Sequence, residues 1–163
     1  MPANQPLLNL VVRRRGQCGF DRVSKERRVK LNPYLTFNGQ CESAVKFYER
    51  CLGGKILMMM TYGDSPLAKQ MPPDWGKRII HATFALGDQT LGAADVPPES
   101  YQKPQGFSVT LNIDTAAEAD RIFKMLAEKG TVQMPVQETF WATRFGMVVD
   151  QFGTPWMINC GKP

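Results

Sequence analysis

Glu138-Thr-Phe-Trp-Ala-Thr-Arg-Phe-Gly-Met-Val-Val-Asp-Gln-Phe-Gly-Thr-Pro-Trp-Met-Ile-Asn159 decides how this chain folds. Two short runs, Phe145 to Val149 and Pro155 to Asn159, flank Asp150-Gln-Phe-Gly153. Asp at the first position and Gly at the fourth suit a type I turn, with the Asp side chain bonding the backbone amide two positions on. The segment reads as the last two strands of a sheet. It also holds two of the three tryptophans, Trp141 and Trp156, and a carboxylate, Glu138, a mixture that suits the wall of a pocket as well as a core.

Working back from this hairpin, Val132 to Phe140 reads as a strand. Ala116 to Lys129 has the three-and-four spacing of a one-sided helix, capped by Asp114 or Thr115 and closed by Gly130. Gly106 to Ile113 is a strand before it. The same order occurs earlier in the chain. A β-prone run at Asn32 to Phe37 leads to a helical pattern at Cys41 to Leu52, stopped by Gly53-Gly54. A strand follows at Lys55 to Tyr62, then a hairpin of Arg78 to Leu86 and Gln89 to Asp95 across Gly87-Asp88. Between strand and hairpin, residues 63–77 form a Pro-containing loop placed to act as a lid. A Pro-rich linker over 96–105 joins two modules, 31–100 and 105–161, each strand, helix, strand, strand, strand. Eight strands and two helices follow.

Composition bounds what such a domain does. At 43% hydrophobic and 21% charged, the 163 residues read as an ordinary soluble globular protein. No apolar run reaches the roughly 18 residues of a membrane helix. The net charge of +5 is not spread evenly: residues 1–30 hold eight Lys or Arg against two acids, and the rest holds twelve against thirteen. The nearly neutral domain disfavours a nucleic-acid face, which needs clustered cations. Residues 1–30 read as a basic, disordered tail. Cys18, Cys41, Cys51 and Cys160 show no Cys-x-x-Cys spacing, and the single histidine, His81, limits metal chemistry. They read as reduced thiols of a cytoplasmic protein.

Particular residues carry the rest. Pro33-Tyr-Leu-x-Phe-x-Gly-x-Cys-x-x-Ala-x-x-Phe-Tyr-x-x-x-Leu-Gly-Gly54, Ile80-His-Ala82, Gln137-Glu-Thr-Phe-Trp141 and Phe145-Gly-Met-Val-x-Asp-x-Phe-Gly-x-Pro-Trp-Met-Ile-Asn159 resemble the PhnB-like branch of the vicinal oxygen chelate superfamily. Glyoxalase I, bleomycin-resistance proteins and extradiol dioxygenases share that superfamily. The resemblance covers residues 31–161. It implies an α+β fold of two βαβββ modules forming a curled mixed sheet around a cavity, usually in a homodimer. Some members carry the name 3-demethylubiquinone 3-methyltransferase, yet no glycine-rich loop follows a strand here to cradle S-adenosylmethionine.

Metal-dependent members place His or Glu ligands on strands 1, 4, 5 and 8. The resemblance puts Pro33 or its neighbours, the region of Ala93 to Asp95, Phe107 and Met157 at those places. A catalytic ion needs about three protein ligands, so the resemblance implies no metal centre and no cofactor. Strand alternation sets His81 with Thr83 towards the cavity and Ile80, Ala82, Phe84 and Leu86 towards a helix. A two-residue turn at Gly87-Asp88 would put His81 and Asp95 on opposite faces. Glu138 reads as a rim acid with Arg144 its nearest partner, or as a pocket acid. Trp141, Phe145 and Trp156 read as core first and stacking platform second.

Candidate catalytic residues are therefore His81 and Glu138, and candidate ligand contacts are Thr83, Asp95, Phe107, Trp141, Phe145 and Met157. Two functions stay open. One is a homodimeric protein that binds a small organic ligand in a metal-free cavity. The other is an enzyme of the glyoxalase or dioxygenase type, using His81 with Glu138 or a metal for isomerase, lyase or ring-cleavage chemistry.

Overall fold

The computed structural model describes residues 30–162. The tail expected over 1–30 lies outside them except for Lys30. The first module is β1 (Tyr34–Phe37), α1 (Cys41–Leu52), β2 (Lys55–Thr61), β3 (Ile79–Leu86) and β4 (Gln89–Asp95). The second is β5 (Val109–Asn112), α2 (Ala116–Ala127), β6 (Thr131–Gln137), β7 (Ala142–Val149) and β8 (Pro155–Gly161). Strands run β1-β4-β3-β2 in one sheet and β5-β8-β7-β6 in the other. The repeated order read from the sequence thus becomes a repeated topology. Only β1–β4 and β5–β8 are parallel. The expected curled sheet is built as two four-stranded sheets, because β1 and β5 each pair on one side only.

Each helix forms because one stripe of it is apolar. On α1 the stripe is Cys41, Ala44, Val45, Tyr48, Cys51 and Leu52, and on α2 it is Ala119, Ile122, Phe123 and Leu126. These pack with Leu35, Phe37, Ala82, Phe84, Val148, Trp156 and Ile158 into one core that spans both modules. Each fully buried large side chain there contributes about 1.5–3 kcal/mol relative to exposure. Gly53, at φ 75°, closes α1 by donating its N–H to Glu49 O at 3.1 Å, a left-handed cap that glycine takes at little cost. Thr115 caps α2 by accepting from Glu118 N.

The end of α2 differs from the expected Lys129–Gly130 closure. The helix stops at Ala127, and Lys129, not Gly130, takes the left-handed conformation at φ 57°. Gly130 is needed for close approach instead: a Cβ there would lie 2.5 Å from Val149 O. Other boundaries also move. β5 starts at Val109, three residues late, and β7 starts at Ala142, three residues early, after a turn in which Thr139 N donates to Ala142 O at 2.9 Å.

The 63–77 loop is tied at its base. Tyr62 N donates to Arg78 O at 2.8 Å and Gly63 N to Gly76 O at 3.0 Å. The Arg78 guanidinium lies 5.9 Å from the Trp75 ring centre and occupies the space above Gly39.

The closing hairpin holds the two modules together. Gly153 N donates to Asp150 O at 3.0 Å, the bond of the predicted turn, and Asp150 Oδ1 accepts from Phe152 N at 2.8 Å. Asp150 does more than turn the chain, however. Its Oδ1 also takes Thr154 N at 3.0 Å, and its Oδ2 takes Trp156 Nε1 and the Tyr48 hydroxyl, both at 2.8 Å. Tyr48 lies on α1, so this buried carboxylate joins the first module to the second.

Candidate functional site

Each sheet has a second face, turned away from the helices, and the register shows what it carries. On the first sheet Tyr34, Gly92, Thr83 and Met58 form one cross-strand row, and His81 pairs with Met60 in the next. On the second, Thr110, Met157, Met147 and Met134 form one row and Asn112, Asn159, Phe145 and Gln137 the next. None of these side chains is an acid, a lysine or an arginine, and Lys55, paired with Ala85, enters the first face one row beyond Thr83. Several are open to solvent, Tyr34 at 51% and Met58 at 41% among them.

Tyr34, His81 and Thr83 make a connected polar line on the first face. The Tyr34 hydroxyl is 2.8 Å from His81 Nδ1, the two rings stack at 5.7 Å, and His81 Nε2 is 3.2 Å from Thr83 Oγ1. Gly92 permits this, since a Cβ there would meet the Tyr34 ring at 2.4 Å. Burial, with smaller contributions from Cys41 and Tyr62, raises the Tyr34 pKa, so the phenol keeps its proton, and the His81 tautomer decides which of the two donates. With Nδ1 accepting from Tyr34, Nε2 would donate to Thr83; with Nδ1 donating, Thr83 would donate to Nε2. The sequence reading had not singled out Tyr34. Alternation within β1 was the available signal: Leu35 and Phe37 face the core, so Tyr34 and Thr36 cannot.

Asp95 is placed elsewhere. It is 2% exposed, with Oδ1 accepting from Cys41 N at 3.0 Å and Oδ2 from Ile79 N at 2.9 Å. It therefore caps α1 from a distance, in place of a local capping side chain. The hairpin pairs Leu86 with Gln89 and Ala82 with Ala93, the register of a two-residue turn. On that register Asp95 falls on the helix side, opposite to His81.

Glu138 is an exposed rim acid whose partner is Lys162, at 2.8 Å, not Arg144. The Ala142–Gly161 pairing brings the chain's end beside the 138–142 turn, while Arg144 turns to Asp120 at 3.0 Å. The Lys162 hydrogen bond, and then its charge, hold the Glu138 carboxyl below its ordinary value. No hydrogen bond or ion pair joins Glu138 to His81.

Of the three aromatics expected in the core, Trp156 is there at 1% exposure. Trp141 is 46% exposed and meets Phe140 and Phe145 edge-on at 4.5 and 5.4 Å, because the tight turn points Ala142 inward in its stead. Phe107 lies outside β5 and, with Tyr34, Thr36 and Pro104, lines a recess of about 220 Å³. Met157 sits on the second open face, where Thr110 Oγ1 approaches its sulfur at 3.9 Å.

Among the described residues no group of three or more His, Cys, Asp or Glu is gathered as a metal site. The donor set thus falls short of the three ligands a catalytic ion needs. Cys41, Cys51 and Cys160 are free and buried. Burial pushes the Cys51 thiol up to about 11 and Cys41 higher still, which removes thiolate character from both. No helix among the described residues is long and apolar enough to cross a membrane.

Paired βαβββ modules of this topology are the vicinal oxygen chelate fold. Fosfomycin resistance protein FosX from Listeria monocytogenes shares it at a TM-score of 0.59 and 10% identity, over 83% of this chain and 94% of that one. Nearer relatives fix the branch. The family model described as 3-demethylubiquinone-9 3-methyltransferase matches residues 29–159, so the chain belongs to that family, the PhnB-like one. Protein YjdN of Escherichia coli is 36% identical over 81% of this chain and 95% of its own length. Among solved structures, PA1353 from Pseudomonas aeruginosa matches at 44% identity and a TM-score of 0.76, covering 83% of this chain and all of that one. The PhnB protein of Bacillus cereus matches at 25% and 0.70, covering 82% and 100%.

Proposed function

We propose that this protein is a cytoplasmic homodimer that binds a small organic molecule against its methionine-rich sheet faces, in a cavity closed by a second copy and holding no catalytic metal. One observation carries the reading: two faces rich in methionine and aromatic rings, with Lys55 at the end of the first as the one lysine, arginine or acid in their paired rows, stand partly open in a chain that is 21% charged. Large apolar patches rimmed by polar groups mark places that something covers. On this reading Tyr34, His81 and Thr83 orient the ligand, and Met58, Met60, Met147 and Met157 supply adaptable apolar contact. The free buried thiols support a reducing compartment.

The enzyme reading draws its support from the Tyr34–His81 pair, an oriented imidazole on an open face suited to proton transfer. Glu138 supports it less, being engaged by Lys162. His81→Ala separates the two: ligand affinity within a few fold of the parent fits a binding protein with a peripheral histidine, whereas loss of turnover in an identified reaction establishes the enzyme. Native mass spectrometry of freshly purified protein tests the rest. A dimer carrying an organic adduct, with less than one transition metal per chain, is expected; a monomer, or stoichiometric zinc, iron or manganese, overturns the proposal.

A further inference from the structure

A second site lies on the helix side of the molecule, away from the faces just described. Between α1, the end of α2 and the turn joining β7 to β8 is a groove of about 440 Å³. Its apolar lining is Phe47, Phe152 and Met125, the two rings 5.7 Å apart. Lys46, Arg50 and Lys129 also line it, and Glu128 is the one acid among the lining residues. Lys46 is already balanced by Glu42 at 2.6 Å. Arg50 and Lys129 have no ion-pair partner among the described residues, so two cations from two elements line a groove whose aromatic side is the half-buried Phe152 over Phe47, 7% exposed.

Lys129 stands out for its backbone. It is the one non-glycine among the described residues with positive φ, at 57°. Glycine would hold that conformation without the steric cost a side chain meets there. Strain kept at a lysine in a groove is the kind of outlier that points from structure to function.

We infer that this groove binds a small anion carrying a flat apolar body, an aryl phosphate or aryl carboxylate. The anionic group would lie between Arg50 and Lys129, and the ring would rest on Phe47 and Phe152. A guanidinium and an ammonium suit oxyanions, and an aromatic wall selects those with a ring attached. The proposal is independent of the ligand assigned to the His81 face.

Phenyl phosphate is the probe, with inorganic phosphate and benzyl alcohol as the charge-only and ring-only controls. Binding is followed by calorimetry and by NMR shifts on the full chain. Phenyl phosphate is expected to bind more tightly than either control, and Arg50→Gln to weaken it about tenfold, the worth of one charge-assisted contact. Lys129→Gly is the sharper variant. It relieves the left-handed strain and so raises the melting temperature, while weakening phenyl phosphate by a similar factor. A gain in melting temperature with unchanged binding would show Lys129 to be a helix end and nothing more. That result, or equal affinity for phenyl phosphate and inorganic phosphate, overturns the inference.

Discussion

Replacing Asp150 tests the claim that one buried carboxylate joins the modules. It is 4% exposed and accepts four hydrogen bonds, from Phe152 N, Thr154 N, Tyr48 Oη and Trp156 Nε1. In Asp150→Ala the Tyr48 hydroxyl keeps a partner, Thr154 Oγ1 at 2.9 Å, but three N–H donors lose theirs. An orphaned buried donor costs about 1–3 kcal/mol, and water entering the vacated space recovers part of it. The net loss should be about 4 kcal/mol, within the range for removing one member of a buried charged network. Asp150→Asn keeps the shape but offers its N–H₂ where an oxygen stood; Tyr48 can accept from it, Trp156 cannot, so about 2 kcal/mol is expected. Tyr48→Phe removes a single bond, for about 1 kcal/mol. Urea unfolding reads all three. With a slope near 2 kcal/mol/M, the Asp150→Ala midpoint should fall by about 2 M. Against a total of about 5–15 kcal/mol this brings the domain near its limit. An Asp150→Ala midpoint shift no larger than that of Tyr48→Phe would refute the reasoning.

Two further outcomes follow from the same contacts. Burial first, and the charge of Asp150 next, raise the Tyr48 pKa well above the ordinary 10. The folded state therefore holds that proton more tightly than the unfolded chain, so this contribution is fully present below pH 10 and is lost as pH climbs towards the folded value. Tyr34 and Tyr62 shift the same way, so Tyr48→Phe should reduce, without abolishing, the fall in stability measured by urea unfolding above pH 10. Gly92→Ala should push the Tyr34 ring off the sheet, at about 1–3 kcal/mol. Because the chain has one histidine, its imidazole ¹⁵N shifts report the tautomer directly, and Tyr34→Phe should reproduce the change; unchanged shifts in Gly92→Ala would dissolve the proposed line from Tyr34 to Thr83.

Element order was legible in the sequence because the apolar spacings on α1 and α2 and the turn residues at Gly53, Gly87 and Asp150 act locally. Alternation also sorts the middle of β3, with Ala82 and Phe84 inward and His81 outward, but not its start, where Ile79 and not Ile80 is buried in the core. What it missed was settled by distant partners. Asp150 looked like any turn aspartate, since nothing beside it in the chain announces that Tyr48, 102 residues away, would aim a hydroxyl at it. Asp95 likewise caps a helix that begins 54 residues earlier. Arg144, the nearest arginine to Glu138 in sequence, is not its partner, because strand register, which brings Lys162 alongside, decides ion pairs.

The comparison of the two sheets bears on function more than either alone. Topology repeats between the modules, so equivalent rows can be set side by side: Tyr34, Gly92, Thr83 and Met58 against Thr110, Met157, Met147 and Met134. The first sheet carries a hydrogen-bonded line from Tyr34 through His81, in the neighbouring row, to Thr83, with a glycine making room for a ring; the second row is three methionines and a threonine, beside a row in which Asn159 Nδ2 donates to Asn112 Oδ1 at 3.0 Å. A hydrogen-bond line discriminates between ligands because a mismatched polar group is costly, whereas thioethers adapt to many shapes at small cost. On the proposed reading, the Tyr34–His81–Thr83 line and the Asn112–Asn159 pair are where a ligand's polar groups would be read, and the methionine row accommodates what is attached to them. A metal-dependent relative would divide its ligands between both halves. Here Met157 occupies a position the resemblance assigns to such a ligand, and each module keeps hydrogen-bonded polar side chains of its own on the open face.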